Sequence, residues 1–334
     1  MNGSNTFYAG HNATYDPNGF SRRAYQLLAA RQNNSSPLRV RVNDNNSTVS
    51  APRKRVLITG CGSGFGRNSS ILLARQGYEV IATVETVHEV HSLRLEAGNE
   101  DLPMTVTKLD ITDEADRLRA GSWDVDILIN IAGIGEGGSM IDVPENRLRR
   151  QFEVNVFGTI LLTQQVARNF VRKQSGKIII MSSIAALNGD PFGGPYAASK
   201  HALEAFADAL YQELMEFGVQ VATVNPGPIL TGFNDRIFDS YQNWYPEDRK
   251  RAIFDYNKIS YQHKQYDPRI VSECVAQVAN GSVTNYRNIV PKEIQPQQRQ
   301  MMAEKFSRQS PVNKTQPSLV RTAFEMKPGI PIGT

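Results

Sequence analysis

Tyr196 and Lys200 put a phenol and an ammonium four residues apart, hence on one face of a helix if the segment is helical. A free phenol has a pKa near ~10 and exchanges protons poorly at neutral pH. A positive charge within about 4–6 Å favours the phenolate, so Lys200 is expected to lower the Tyr196 pKa and make it a general acid/base. Far upstream, Thr59-Gly60-Cys61-Gly62-Ser63-Gly64-Phe65-Gly66 follows the apolar run Val56-Leu57-Ile58. A glycine-rich turn between a strand and a helix lets backbone N–H groups approach a pyrophosphate at the positive helix N-terminus. One segment can hold a dinucleotide and the other can move a proton. Taken singly, each also has an ordinary explanation: glycines serve loops, and Y-x-x-x-K describes many solvated helix faces.

Positioning these groups requires a scaffold, and the chain between them alternates short β-branched runs with amphipathic stretches. That pattern predicts an α/β fold, a Rossmann-like doubly wound parallel sheet of about seven strands with helices on both faces. Strands are expected at 55–60, 79–84, 104–109, 126–131, 176–182, 219–225 and 286–290. Helices are expected near 65–76, 87–97, 144–172, 196–217 and 268–280. In the fourth of these, Leu203, Phe206, Ala207, Leu210 and Leu214 recur at three- and four-residue intervals, and Gly218 follows as a stop. The expected organisation is a disordered basic extension over 1–52, a catalytic domain over 53–291, and a short helix with a loose tail over 292–334.

The glycine spacing T-G-x-x-x-G-x-G, followed in order by Asp110, Asn130-Ile131-Ala132-Gly133, Asn155, Ser183, Tyr196, Lys200 and Asn225-Pro226-Gly227, resembles the short-chain dehydrogenase/reductase family. The resemblance runs from about Arg55 to Pro291. It implies an NAD(P)-dependent oxidoreductase acting on CH-OH and C=O groups, with Asn155, Ser183, Tyr196 and Lys200 as its catalytic set. In that family the serine hydroxyl binds the reacting oxygen, the lysine also reaches the nicotinamide ribose, and the asparagine holds a water linking the lysine to solvent. The cofactor would lie on Gly60, Ser63, Gly64, Phe65 and Gly66, with Asp110 and Ile111 at the adenine. Asn130, Ala132 and Gly133 would pass the adenosine ribose, with Ile131 departing from the usual N-N-A-G. Pro226, Gly227, Ile229 and Thr231 would meet the carboxamide, beside Tyr196 and Lys200. A homodimer or homotetramer is implied, built on the helices carrying Asn155 and Tyr196.

The strand Val80-Ile81-Ala82-Thr83-Val84 ends at Glu85, and an acid there favours the free ribose diol of NAD over NADP. Arg67 is the one residue near the glycine turn that could still reach a 2′-phosphate. The roughly forty residues after Pro226 exceed the usual connection of about 4–6 residues and are crowded with aromatics. With Leu187 and Phe192, some of these are expected to build a pocket for a bulky hydrophobic carbonyl or alcohol, the others anchoring the insertion. Alternatives are an epimerase or dehydratase using transient oxidation, and a cofactor-binding, redox-sensing scaffold without turnover. The intact proton-transfer set argues against the scaffold.

Net charge is +4, but residues 1–55 hold eight Arg or Lys against Asp16 and Asp44. The catalytic region is thus near neutral, and no nucleic-acid partner is expected. Cys61 and Cys274 provide no disulfide framework, and the histidines show no metal-ligand pattern, so no metal is expected. No apolar stretch approaches the roughly 20 residues that span a bilayer. A cytoplasmic location is the expectation that follows.

Overall fold

In the computed structural model, residues 53–260, 265–310 and 315–325 are described, and the extension expected over 1–52 lies outside them. All belong to one compact unit, Pro52–Thr334. Seven strands form one sheet: β1 (Arg55–Ile58), β2 (Glu79–Val84), β3 (Met104–Lys108), β4 (Ile127–Asn130), β5 (Gly176–Met181), β6 (Val219–Pro226) and β7 (Arg287–Val290). Their order is β3-β2-β1-β4-β5-β6-β7, and every neighbouring pair is parallel. The chain winds outward from β1 to β3, then crosses back to β4 and winds the other way. Ligands of such sheets bind at that switch point, beyond the carboxyl ends of the strands.

Side chains alternate across the sheet with the period of two that strands impose. Val56, Ile58, Ile127, Ile129 and Ile179 pack on one face against α1 (Gly64–Arg75) and α2 (Val87–Asn99). Leu57, Leu128, Ile178 and Ile180 pack on the other. That second face meets α3 (Glu114–Gly121), then α4 (Glu145–Phe152) leads into α5 (Thr159–Lys173), and α6 (Gly194–Glu213) completes the layer. The single helix expected near 144–172 is interrupted, because Glu153–Gly158 forms a π-helical turn between α4 and α5. Such turns mark an extra residue accommodated in the helix and occur often at functional sites.

Past β6, the insertion contains α7 (Phe233–Asp239) and the single turn α8 (Tyr245–Asp248) before α9 (Arg269–Asn280), which covers the first face. After β7 come α10 (Gln295–Phe306) and α11 (Ser318–Glu325), two helices where one was expected. Trp244, Tyr245 and Tyr256 of the insertion bury themselves with Phe192 and Ala323, a third cluster apart from the sheet core. Tyr256 lies at its centre, within 5.0 Å ring to ring of both Trp244 and Tyr245. Its hydroxyl donates to Asp142 Oδ2 at 3.1 Å and accepts from the Ser139 amide at 2.8 Å.

Candidate active site

Parallel strands send all their carboxyl ends to one edge of the sheet, and the loops leaving β1, β4, β5 and β6 meet there in one groove of roughly 460 Å³. Gly60 begins the first loop with φ +72°, and a Cβ there would come 2.7 Å from Ala132 Cα. Gly64 has φ +53°, at the start of α1. A Cβ on Gly66 would strike the Gly60 carbonyl oxygen at 2.1 Å, so the loop closes only around glycine. The Thr59 hydroxyl ties this loop to the next by accepting from the Ile131 and Ala132 amides at 3.0 and 3.1 Å.

Most of the residues expected to hold a dinucleotide line the groove: Gly60, Ser63, Gly64, Phe65, Glu85, Asp110, Ile111, Ala132, Gly133, Pro226, Gly227, Ile229 and Thr231. The bare glycine loop at a helix N-terminus is a cradle suited to a pyrophosphate, so the residues present fit a dinucleotide. Two residues expected to line it do not. Asn130 turns back beneath the sheet edge, donating to Thr163 Oγ1 at 2.9 Å, because β4 alternation sends it to the helix-covered face. Gly66 lies behind the loop and acts through close approach. Asp110 accepts from the amide and hydroxyl of Thr112 at 2.8 and 2.7 Å, which fixes its turn. Arg67 is paired with Glu96 at 2.5 Å and is absent from the groove wall. Glu89, which sequence reading passed over, joins Glu85 in that wall; it forms a capping box with Thr86 and packs against Gly62.

At the other end of the groove stand Ser183, Tyr196 and Lys200. Ser183 stands two residues past the end of β5, and its hydroxyl accepts from the Ala185 amide at 3.1 Å. Lys200 is buried and donates to the Met181 carbonyl at 2.8 Å, with its Nζ 5.7 Å from the Tyr196 ring centroid. Asn155 lies fully buried in the π-helical turn. Its amide clamps residue 134 by accepting from the Ile134 N–H at 2.8 Å and donating to its carbonyl at 2.9 Å. It also donates to Ser199 Oγ at 3.1 Å, whose own hydroxyl donates to the Tyr196 carbonyl at 2.7 Å. Asn155 and Lys200 both stand beside Gly133, whose Cβ would lie 3.2 Å from Asn155 Oδ1 and 3.8 Å from Lys200 Nζ.

The lowered phenol expected of Tyr196 is not found. Burial pushes it up to about 12, against a hydrogen bond with Ser183 that pulls it down. Burial also pulls Lys200 down to about 8, with the nearby charge of Glu204 opposing. Desolvation of two deeply placed groups outweighs their attraction across the ring. Burial likewise pushes the Cys61 thiol up to about 12, consistent with a small buried residue rather than a reactive one.

The expected aromatic pocket is also largely corrected. Phe192, Trp244, Tyr245 and Tyr256 are consumed by their own cluster, and Leu187 is buried beneath α10 with its carbonyl bonded to Lys305. Among the described residues of the insertion, Phe233 is the one ring that faces the groove, edge-on to Tyr196 at 5.6 Å between centroids. Ile134 and Val154 extend this apolar wall, while Arg150, Asn234 and Arg236 line it too.

A profile described as short chain dehydrogenase matches residues 54–242. The chain belongs to the short-chain dehydrogenase/reductase family. It is 36% identical over 256 residues to the uncharacterized oxidoreductase YusZ of Bacillus subtilis, covering 72% of this chain and 90% of that protein. It is 35% identical over 196 residues to human retinol dehydrogenase 8, covering 57% of this chain and 63% of the relative. A solved structure, a short-chain dehydrogenase from Sphingobium yanoikuyae in complex with NADPH, superposes with a TM-score of 0.62 at 19% identity, covering 79% of this chain and all of that one. The enzyme is therefore an NAD(P)-dependent oxidoreductase with the family's parallel-sheet fold. Among the described residues no helix is long and apolar enough to cross a membrane, and no group of His, Cys, Asp or Glu could hold a metal ion.

Proposed function

We propose that this dehydrogenase interconverts a carbonyl and a secondary alcohol with Tyr196 as general acid/base. The observation that carries the reading is the meeting of Ser183, Tyr196 and Lys200 at one end of a groove whose other end is the glycine loop. Bound nicotinamide supplies or accepts the hydride. Ser183 and Tyr196 can both hydrogen-bond a substrate oxygen, which orients the carbonyl and places the phenol proton on the atom that becomes the alcohol. A phenol held high is a competent donor in the reducing direction. In the oxidising direction it needs added positive charge, which Lys200 contributes. Asn155 keeps the loop after β4 rigid beside Lys200. Turnover of ketones by the wild type, lost in Tyr196→Phe, tests the assignment; equal turnover in both would refute it.

The reading favours NAD over NADP because Glu85 and Glu89 line the groove and Arg67 is held by Glu96. It favours a substrate with an apolar body, lying on Phe233, Ile134 and Val154. The name of retinol dehydrogenase 8 supports this, since retinol is a long apolar alcohol. Higher kcat/KM on long-chain or ring-containing ketones than on acetoin is the expected result, and a clear preference for acetoin would overturn it. The same reading includes a second copy of the chain: Phe157, Tyr211 and Met215 are 51, 41 and 56% exposed on the π-helical turn, α6 and the turn after it. Apolar side chains left open on those elements suit a homodimer or homotetramer, measurable by sedimentation.

A further inference from the structure

Helix α6 carries a third ionisable side chain at the same interval as the first two: Glu204 follows Lys200 by four residues, as Lys200 follows Tyr196. Glu204 is 6% exposed, and both its oxygens are engaged. Oε1 accepts from Asn225 Nδ2 at 2.6 Å, and Oε2 accepts from Arg287 Nη2 and Nε at 2.6 and 3.2 Å. Asn225, fully buried near the end of β6, uses the same amide nitrogen to donate to the Ser183 carbonyl at 3.2 Å. Its Oδ1 accepts from Thr223 Oγ1 at 2.9 Å, which fixes the amide orientation. An unbroken chain of polar contacts thus runs from Arg287 on β7, through Glu204 on α6 and Asn225 on β6, to the backbone of Ser183.

A buried ion pair is poor evidence for stability, since apolar residues of similar volume often serve as well. The placement of this one, beneath Lys200 and beside Ser183, gives it another purpose. We propose that Glu204 is a positioning residue of the reaction: it sets the Ser183 backbone through Asn225 and holds a carboxylate one helical turn from buried Lys200. This inference rests on the proton-transfer reading of Tyr196 and Lys200 given above.

The groups facing this carboxylate are few. Lys200 lies one turn before it on α6 and Asp208 one turn after it; Asn225 faces it from β6, Arg287 from the start of β7 and Tyr286 from the residue before that strand. Around Lys200 itself stand the Met181 carbonyl, the Tyr196 ring and Asn155, none of them a carboxylate. The Lys200 ammonium is lost as pH rises past about 8, and Glu204 acts to postpone that loss. Removing the Glu204 charge must therefore move the loss to lower pH. Removing Arg287, which neutralises Glu204, must move it to higher pH.

The test is the pH profile of kcat/KM in the full-length holoenzyme, with thermal melts of each variant. Glu204→Gln keeps the size of the side chain and is expected to shift the alkaline limb down by about one pH unit, the scale of a single nearby charge. Arg287→Gln is expected to shift it up. A merely structural role would lower kcat or Tm in both variants and move neither limb. Unmoved limbs, or limbs moving in the same direction, overturn the proposal. Should Glu204→Gln fail to fold, the direction of the Arg287→Gln shift decides alone. Near-normal turnover in Tyr196→Phe would instead sink the proton-transfer reading; an inactive Tyr196→Phe with unmoved limbs sinks this inference only.

Discussion

Lys200 is fastened to the strand that delivers Ser183: its ammonium donates to the Met181 carbonyl, two residues before the serine, at 2.8 Å. One side chain thereby couples α6 to the end of β5 and sets the separation of phenol and hydroxyl. Lys200→Ala should cut turnover by at least about 10²-fold. It should also weaken dinucleotide binding roughly 10–100-fold, the worth of a charge-assisted hydrogen bond of about 1.5–3 kcal/mol. Fluorescence titration with NADH reads the second effect. An unchanged Kd would show that Lys200 does not reach the cofactor.

Tyr196→Phe isolates the proton. The ring still packs edge-on to Phe233, so Tm and dinucleotide affinity should stay near wild type while kcat falls by about 10²–10⁴-fold. Because burial holds the phenol up near 12, the wild type should oxidise alcohols faster as pH rises, up to the pH at which Lys200 loses its charge. Carbonyl reduction, which needs the protonated phenol, should show no loss from Tyr196 ionisation across the neutral range. A phenolate absorbance band of Tyr196 that appears well below pH 12, and is lost in Tyr196→Phe, would contradict the raised value.

Glu85 and Glu89 both line the groove, and carboxylates facing the adenosine ribose would repel a 2′-phosphate. NADH should therefore give the higher kcat/KM. Glu85→Arg should move the ratio toward NADPH by about tenfold or more, since it replaces repulsion with a phosphate partner. Glu89 is the poorer choice for substitution, because it also caps α2. Strong NADPH preference in the wild type would mean that these carboxylates do not face the ribose.

Two glycine-to-alanine changes should act in opposite directions. Gly98, exposed in α2, has open space where its Cβ would be, so Gly98→Ala should stabilise by about 0.5–1 kcal/mol through helix propensity. Gly66→Ala enjoys the same propensity gain in α1 but forces a methyl to 2.1 Å from a backbone oxygen, which no rotamer can relieve. It should lower Tm by several degrees and reduce dinucleotide affinity more than tenfold. Differential scanning calorimetry of both variants makes the comparison.

Local pattern was enough for the scaffold. The seven expected strands appear within two residues at each end, because short, nearly continuous apolar runs can be buried as strands only in a sheet covered on both faces. The glycine loop was readable for a similar reason: positive φ and sub-3 Å approaches leave glycine alone. That Tyr196 and Lys200 share one helix was readable from an interval of four beside a clear apolar stripe, while their catalytic roles came from the family resemblance.

What sequence could not determine is which of several available partners each side chain takes. Asn130 could have faced a ligand, but the β4 pleat delivers it to Thr163. The insertion's aromatic rings could have lined a pocket, yet they gain more by burying one another and the residues of α11. Lys200 was expected to lower the Tyr196 phenol, but burial, a property of the assembled interior, raises it instead. Glu204 reads in sequence as one more helix acid; only β6 and β7 arriving beside α6 surround it with Asn225 and Arg287. Spacing along the chain decides which residues share a face, whereas charge state and hydrogen-bond partner depend on groups brought from distant positions, and those the tertiary structure alone supplies.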